Sequence, residues 1–507
     1  LRAIAASDDE DVIKSIAAWI DEHDEFSGPF DSRDSDSLAR KLEFALLVAF
    51  LQSRLNEFIR DWKIAEDPLK LNSDTANFFF RPPRDYEAII PAAPMGNVLA
   101  FQHLPSGVDS DDAGELRFLR CMGVGRWMLL HLPDLFADDN VSKPNVMLLS
   151  GTSWAGESPS YDLQTPVTAV LRSPPDEVKA IKESTFEFLP FRWSDNRAIK
   201  VSGRSGEARF SALREIVRQM CDKGRFGRSL LERNRHDLPD GRKSILLLVG
   251  SYREAKFVRE QIQLQRPEWT HQVLDLVPDD DEWDEEHQLS SIRRGQVDQL
   301  RTRDAWMLVA PLLAIERGHN ILNDQSVALL GAAYFLVRMH PPPDDISFAI
   351  QSINRWAVEK HTDADWLQQQ CGKVEPTRQA IAAAFRSAAY REWRSLLRLP
   401  MIYGTLPPSQ RHAMTWNQLV TMWQVIGRLI RGGQAAQIYF CDAAFAPKSA
   451  DGKIDTAATS LLRGMLEVLA PYFEPSGCLD ATDRSLATAL YGPLYSALKE
   501  IRGLQHD

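Results

Sequence analysis

The run Ser244-Ile245-Leu246-Leu247-Leu248-Val249-Gly250-Ser251-Tyr252 constrains this chain most. An apolar stretch stops at a Gly-Ser turn, and Ala255, Val258 and Ile262 then follow at helical spacing. This is a strand–turn–helix unit, the building block of α/β folds. Ser251 and the N-terminus of that helix form a turn able to bind a backbone phosphate, with Tyr252 beside it. Ala305 to Pro311 is a second apolar run, and Ala332 to Val337 a third, closed by Arg338 and Pro341-Pro342-Pro343. Ile438-Tyr439-Phe440-Cys441-Asp442 is a fourth. The expected fold class is α/β.

Helical periodicity surrounds these runs. Residues 27–85 read mostly as helix, with Leu42, Phe44, Leu47, Phe50, Leu51 and Leu55 at helical spacing. A turn-rich passage follows, with Pro82-Pro83, Pro91, Pro94 and Gly96, and Leu116 to Leu132 reads as another helix stopped by Pro133. Asn145 to Leu149 reads as a short apolar strand that breaks into Ser150-Gly151-Thr152. Val167 to Ile199 supplies further strands and turns. Within it Asp176-Glu177-Val178-Lys179 follows Pro174-Pro175, which marks a helix N-terminus rather than a nuclease carboxylate–lysine pair. Residues 207–235 read as a helix and a connector whose Arg225, Arg228, Arg233 and Arg235, with Arg242 and Lys243, form the most basic passage. Asp279 to Glu286 is an acidic, solvated loop. Residues 345–396 and 456–503 read as helical.

The most specific stretch is Trp423-Gln424-Val425-Ile426-Gly427-Arg428-Leu429-Ile430-Arg431-Gly432-Gly433. Its spacing places Gln424, Arg428 and Arg431 on one helical face, and the diglycine ends the helix. Arginine presents a planar fork of donors to phosphate oxygens and can stabilise a transferring phosphoryl group. Two solvated arginines on a surface helix are the plainer alternative. Near the start, Ser15 to Phe26 carries Ile16-Ala17-Ala18-Trp19-Ile20 into Asp21-Glu22-His23-Asp24. It fits a buried strand that delivers two carboxylates at its carboxyl edge, where Asp21 would hold Mg²⁺ through water and Glu22 would orient the attacking water. Val12, Ile13, Ile16, Ala17 and Ile20 equally fit one face of a helix.

Composition narrows the partners. The 507 residues allow two or more domains. The net charge of −11 gives no global attraction to nucleic acid, so such binding needs a local basic track. Cys121, Cys221, Cys371, Cys441 and Cys478 are far apart, against a zinc knuckle or a cluster of adjacent ligands and consistent with a reducing cytoplasm. No apolar run is long enough to cross a bilayer and no signal peptide is visible, so no membrane partner is expected.

Taken in order, these stretches resemble the motor of a superfamily 2 helicase. Asp21-Glu22-His23-Asp24 resembles the Asp-Glu-x-His/Asp box, and Ser150-Gly151-Thr152 is similar to the Ser-Ala-Thr coupling motif. Leu246 to Tyr252 resembles the first strand of the second motor domain. Arg317-Gly318-His319-Asn320 resembles the Gly-x-Asp/Asn motif, and Gln424 to Arg431 the Gln-x-x-Gly-Arg-x-x-Arg motif. The ordered set favours the strand over the helix at residues 11–24. The long gap from Asp24 to Ser150, with Arg338 and the prolines after the fifth motif, resembles helicases of the damage-inducible DinG type and a divergent class from bacterial defence islands beside PIWI-type proteins.

The resemblance implies two RecA-like P-loop NTPase lobes with helical insertions and a helical C-terminal tail. Residues 1–205 would belong to the first lobe, with an insertion over about 27–140. Residues 206–243 would form the connector, 244–455 the second lobe with an insertion over about 345–400, and 456–507 the tail. It implies ATP and Mg²⁺ as cofactors and single-stranded nucleic acid as substrate, DNA in preference to RNA, with partner proteins from anti-phage or plasmid defence. Glu22, Gln424, Arg428 and Arg431 would be catalytic. Asp21, Gly318 and Asn320 would bind the cofactor, Ser150 and Thr152 would couple the lobes, and Ser251, Tyr252 and Arg317 would touch the strand. A Gly-x-x-x-x-Gly-Lys-Ser/Thr loop should precede the carboxylate box. Gly224-Arg225-Phe226-Gly227-Arg228-Ser229 has Arg for Lys and short glycine spacing, and Gly241-Arg242-Lys243-Ser244 lacks the upstream glycine. The chain opens on Leu1, so the expectation is that the loop was cut off with the N-terminus and that hydrolysis is absent without it. The alternative is a catalytically silent helicase-like scaffold that binds nucleic acid or partner proteins.

Overall fold

The computed structural model describes residues 98–104, 115–121, 133, 145–279, 289–316, 320–341, 347–361, 363–372, 377–399, 401–475, 477 and 480–505. Contacts divide the chain into two compact units, Leu1–Gly125 and Arg126–Asp507.

In the first unit, β1 (Val98–Leu104) and β2 (Glu115–Cys121) form an antiparallel pair, in register from Val98 opposite Cys121 to Leu104 opposite Glu115. This corrects the helical reading over Leu116–Cys121; residues 122–132 lie outside the described residues. The Leu116-Arg117-Phe118 alternation has a period of two, and pairing along the whole of β1 decides for strand.

The second unit is built on a seven-stranded sheet in the order β3-β9-β8-β4-β7-β5-β6, every neighbouring pair parallel. After α1 (Pro175–Glu183), strand β3 (Thr185–Phe188) lies at one edge. Then come α2 (Gly206–Cys221), α3 (Leu230–Asp237), β4 (Ser244–Val249), α4 (Tyr252–Gln265), β5 (Val273–Val277) and β6 (Ser291–Arg293). Next are β7 (Met307–Pro311), the short α5 (Leu312–Ile315) and β8 (Leu330–Phe335). Three helices, α6 (Ser347–His361), α7 (Ala364–Cys371) and α8 (Arg378–Leu397), precede the long α9 (Pro408–Leu429). β9 (Gln437–Phe440), α10 (Pro447–Ala450), α11 (Leu461–Phe473) and α12 (Ala481–Lys499) complete it. The α/β class, the apolar runs, the helix start at Pro174-Pro175 and the helical stretches after 345 and 456 follow the sequence reading. Because β3 pairs with β9, residues 185–188 share the sheet of residues 244–440.

The central strands are apolar at nearly every position because helices cover both faces of a parallel sheet. Side chains alternate between the faces. Leu246, Leu248, Leu308, Ala310 and Phe335 join one core with α9, α11 and α12. Ile245, Leu247, Val249, Val309 and Tyr334 join the other with α2 and α4. Asn145 to Leu149, read above as a strand, has no regular secondary structure and pairs with no described strand, and Met147 and Leu149 are exposed. An apolar run becomes a strand only when a neighbour satisfies its backbone.

Two buried charges fasten the sheet ends. Arg242, in the turn before β4, donates from Nε to Ala328 O at 2.9 Å, from Nη1 to Ala435 O at 2.5 Å, and from Nη2 to Leu330 O at 3.1 Å and to Leu429 O. Burial pushes its pKa down to about 10. Gly331 faces this residue at the register shift between β4 and β8. A Cβ there would lie 2.3 Å from Arg242 O, which only glycine avoids. At the opposite end, Asp442 accepts from the backbone N–H groups of Val201, Ser202, Arg338 and Ala444 at 2.9–3.0 Å and from the Ser202 hydroxyl at 2.5 Å.

The two glycine-rich decoys have structural roles. Gly224–Phe226 is a 3₁₀ turn that leads to Ser229, the cap of α3 in a reciprocal capping box with Glu232. Gly241 to Ser244 runs into a strand, whereas a phosphate loop opens a helix. Among the described residues no helix is long and apolar enough to cross a membrane. Cys221 and Cys441 are free and buried, and Cys371 is free and half-buried.

Two predictions follow from these anchors. Arg242→Met leaves its carbonyls without donors and is expected to cost about 3 kcal/mol or more, read as a lower denaturation midpoint at unchanged slope. Glu232 is bound by Arg266 Nη2 at 2.6 Å, which holds its carboxyl down from 4.5 to about 2. A depressed carboxyl stabilises the fold above its unfolded pKa and loses that contribution as pH falls through the folded value. Glu232→Gln should therefore be less stable than the native chain at pH 7, and the gap should close between pH 4.5 and 2 in acid titrations.

Candidate functional site

Helix α9 carries a polar stripe. Asn417, Thr421, Gln424 and Arg428 recur at spacings of four, three and four, which keeps them on one face. Trp416, Leu419, Val420, Val425, Ile426 and Leu429 are buried in the core. The helix ends at Leu429, with Ile430 as C-cap. Gly432 and Gly433 follow with φ of 72° and 67°, the left-handed region that glycine adopts freely. A Cβ on Gly432 would come within 2.7 Å of Val327 Cγ1. Arg431 therefore lies past the helix rather than on its face. Its side chain is exposed and its carbonyl accepts from Ala328 N at 3.2 Å.

Residues 150–163 lie across this stripe as a strap. Gln424 Nε2 donates to Thr152 Oγ1 at 3.0 Å. Asn417 Oδ1 accepts from the Ser158 hydroxyl and from Ser160 N at 3.3 Å. Tyr161 Oη lies 2.8 Å from Thr421 Oγ1 and donates to Glu316 Oε2 at 3.0 Å. Arg355 of α6 binds the strap from outside through Gly156 O, Ser158 O and Asp162 Oδ2, the last at 2.9 Å. Trp154 packs edge-on to Trp416 and Tyr472, and its indole N–H donates to Asp483 Oδ1 at 3.1 Å.

Arg428 is 8% exposed. Its Nη2 donates to the main-chain carbonyl of Glu316 at 2.7 Å, while its buried Nε has no partner. Gln424 Oε1 is likewise buried and unpartnered. Burial lowers the Arg428 pKa, the Arg431 charge lowers it further, and Glu316 opposes both. A desolvated guanidinium with a spare donor can hold an anion, and a buried amide oxygen can accept from a water molecule.

The structure thus brings together Thr152, Gln424 and Arg428, with Arg431 at the rim. Ser150 is exposed, and its hydroxyl accepts from Thr152 N at 3.1 Å. Asn320 is exposed. Ser251 caps α4 by accepting from Glu254 N at 3.2 Å, and Tyr252 is half-buried against the core. Asp21, Glu22, Arg317 and Gly318 lie outside the described residues, so the expected Mg²⁺ ligand and the expected water-orienting carboxylate do too. Sequence reasoning missed Thr421 and Asn417, which the helical stripe could have revealed. It also missed Glu316, although that residue adjoins Arg317-Gly318. Tyr161 and Arg355 carry no local signal. Comparison of the chain with protein-family models, with curated proteins and with solved structures finds no match.

A buried arginine kept for structure differs measurably from one kept for a ligand. Arg428→Met removes a desolvated cation with one orphaned donor and is expected to raise stability by about 1 kcal/mol, against the loss for Arg242→Met. Denaturation midpoints of the two variants check this. A loss in both would make Arg428 a structural residue.

Proposed function

We propose that this protein is an ATP-driven motor that moves on single-stranded nucleic acid, DNA in preference to RNA, in the manner of superfamily 2 helicases and in a bacterial defence setting. The parallel sheet of the second unit is read as the second of two RecA-like lobes. Asp21 would hold Mg²⁺, which neutralises phosphate charge when bound, and Glu22 would orient the attacking water. Arg428, with Arg431 at the rim, would meet the charge that develops on the γ-phosphoryl group. Gln424 would hold Thr152, so that movement in the strap follows the state of the nucleotide.

The observation that carries this reading is the Gln424–Thr152 hydrogen bond. It joins two stretches 272 positions apart that were assigned, separately, to hydrolysis and to coupling. Arg428 Nε and Gln424 Oε1 are also buried without a partner, positions that a bound ligand or a water molecule would satisfy.

The test is ATP hydrolysis by the full-length protein with and without single-stranded DNA, beside Glu22→Gln and Arg428→Ala. Turnover should rise with the strand and fall at least about a hundredfold in each variant. Strand binding without turnover would instead assign a catalytically silent scaffold in a multiprotein complex.

A further inference from the structure

The chain carries a net charge of −11, so an anionic strand needs a local basic track. The passage most basic in sequence is largely taken up by the fold. Arg242 is buried on four carbonyls, Arg235 lies over the Trp306 ring, and Lys243 pairs with Asp240 at 2.6 Å. Helix α8 has four arginines and one acid, Glu392. That acid is half-buried, and burial pushes its carboxyl up towards the neutral form.

Packing fixes one side of α8. Phe385 lies against Trp356 of α6 and Trp366 of α7, with ring centroids 5.4 and 6.3 Å apart, and Ala388, Ala389 and Leu396 are buried with it. The opposite side is turned to solvent. Ser387, Tyr390, Arg391, Arg394 and Arg398 recur there at helical spacing, Arg398 as the C-cap, and each is exposed. The three arginines form a row about 10 Å long. Among the described residues none of them is in an ion pair. Arg391 Nη2 donates to Gln370 Oε1 of α7 at 3.1 Å, and the Arg394 guanidinium lies 5.7 Å from the centre of the Tyr390 ring. On α7 the exposed Gln368, Gln369 and Gln370 bring no charge of their own. A helix dipole favours cations in the last turn alone, which does not account for Arg391. Unpaired guanidiniums beside an exposed aromatic ring are the chemistry that holds a single strand: cations for the phosphates and a π-face for a base.

We propose that this face of α8 is a docking track for single-stranded nucleic acid, with Arg391, Arg394 and Arg398 on the phosphates and Tyr390 against a base, an assignment that rests on the proposed action on single strands. The helices between β8 and α9 thereby give an acidic protein its hold on an anionic partner.

The experiment measures binding of a fluorescein-labelled single-stranded oligonucleotide, DNA and RNA in turn, by anisotropy across a salt series. It compares the full-length native protein, Arg391→Gln/Arg394→Gln/Arg398→Gln, Tyr390→Ala, and a control triple, Arg204→Gln/Arg225→Gln/Arg228→Gln, that removes the same charge from other exposed sites. The α8 triple should weaken binding at least about tenfold and lower the slope of log K against log salt by about 2, because three phosphate contacts are lost. Tyr390→Ala should weaken binding about tenfold at unchanged slope, since stacking releases no counterions. The control triple should bind as the native protein does. Equal losses in the two triples, or native affinity in the α8 triple, overturn the proposal, while strand-stimulated hydrolysis by the native protein decides the motor reading separately. Strand binding that depends on the α8 arginines in a protein without turnover supports the track and fails the motor. Native protein that binds no strand overturns both. A basic helix face also fits an anionic membrane surface. Loss of binding to phosphatidylserine vesicles in the α8 triple, with native strand affinity, assigns the face to lipid and overturns the proposal.

Discussion

The sheet of this protein depends on one buried guanidinium. Arg242 takes the carbonyl that ends α9 at Leu429, the carbonyl before β9 at Ala435, and carbonyls at the entry to β8. A helix end leaves its last carbonyls unsatisfied, and a buried one must find donors elsewhere. Arginine suits this because its five N–H donors diverge in a rigid plane. The cost of desolvating the charge shows in the lowered pKa. In return, one side chain fixes where α9 stops and β9 begins, which sets the position of Gln424 and Arg428. Asp442 plays the opposite part at the carboxyl edge, an acceptor gathering the backbone N–H groups that surround β9.

With α9 fixed, its two faces divide the work. The apolar face packs against the sheet, α11 and α12, and aromatic contacts among Trp154, Trp416, Tyr472 and Tyr491 seat the strap on the same helix. The polar face meets the strap by hydrogen bonds, from Asn417 through Thr421 to Gln424. Arg428 comes last on that stripe and is the one cation there whose partner is a carbonyl and whose Nε is left over. The contrast with Arg242 is between an arginine whose donors meet four carbonyls and one whose Nε is left without a partner.

Much of the second unit was legible in sequence. Leu246 to Val249 could be read as a covered strand because parallel sheets demand apolar residues on both faces, and Pro174-Pro175 before Asp176 marked a helix start. The errors share a cause. Leu116 to Cys121 and Asn145 to Leu149 are short apolar runs in which local pattern does not separate helix, strand and coil. The first acquired a partner in β1, and the second has none among the described residues. At the end of α9, helical spacing carried Arg431 onto the helix, but the helix stops two residues before it, at Leu429, with Ile430 as its cap and the left-handed glycines beyond Arg431.

The sequence by itself determined the α/β class, the strands of the sheet's centre and the helical face that carries Gln424 and Arg428, because periodicity and turn chemistry act within a few residues of chain. Tertiary structure alone decided that Thr152 meets Gln424, that Tyr161 meets Glu316, and that Arg242 is a structural cation while Arg428 is a desolvated one with a donor to spare. Those outcomes depend on burial and on partners more than a hundred positions away, and no local pattern encodes either.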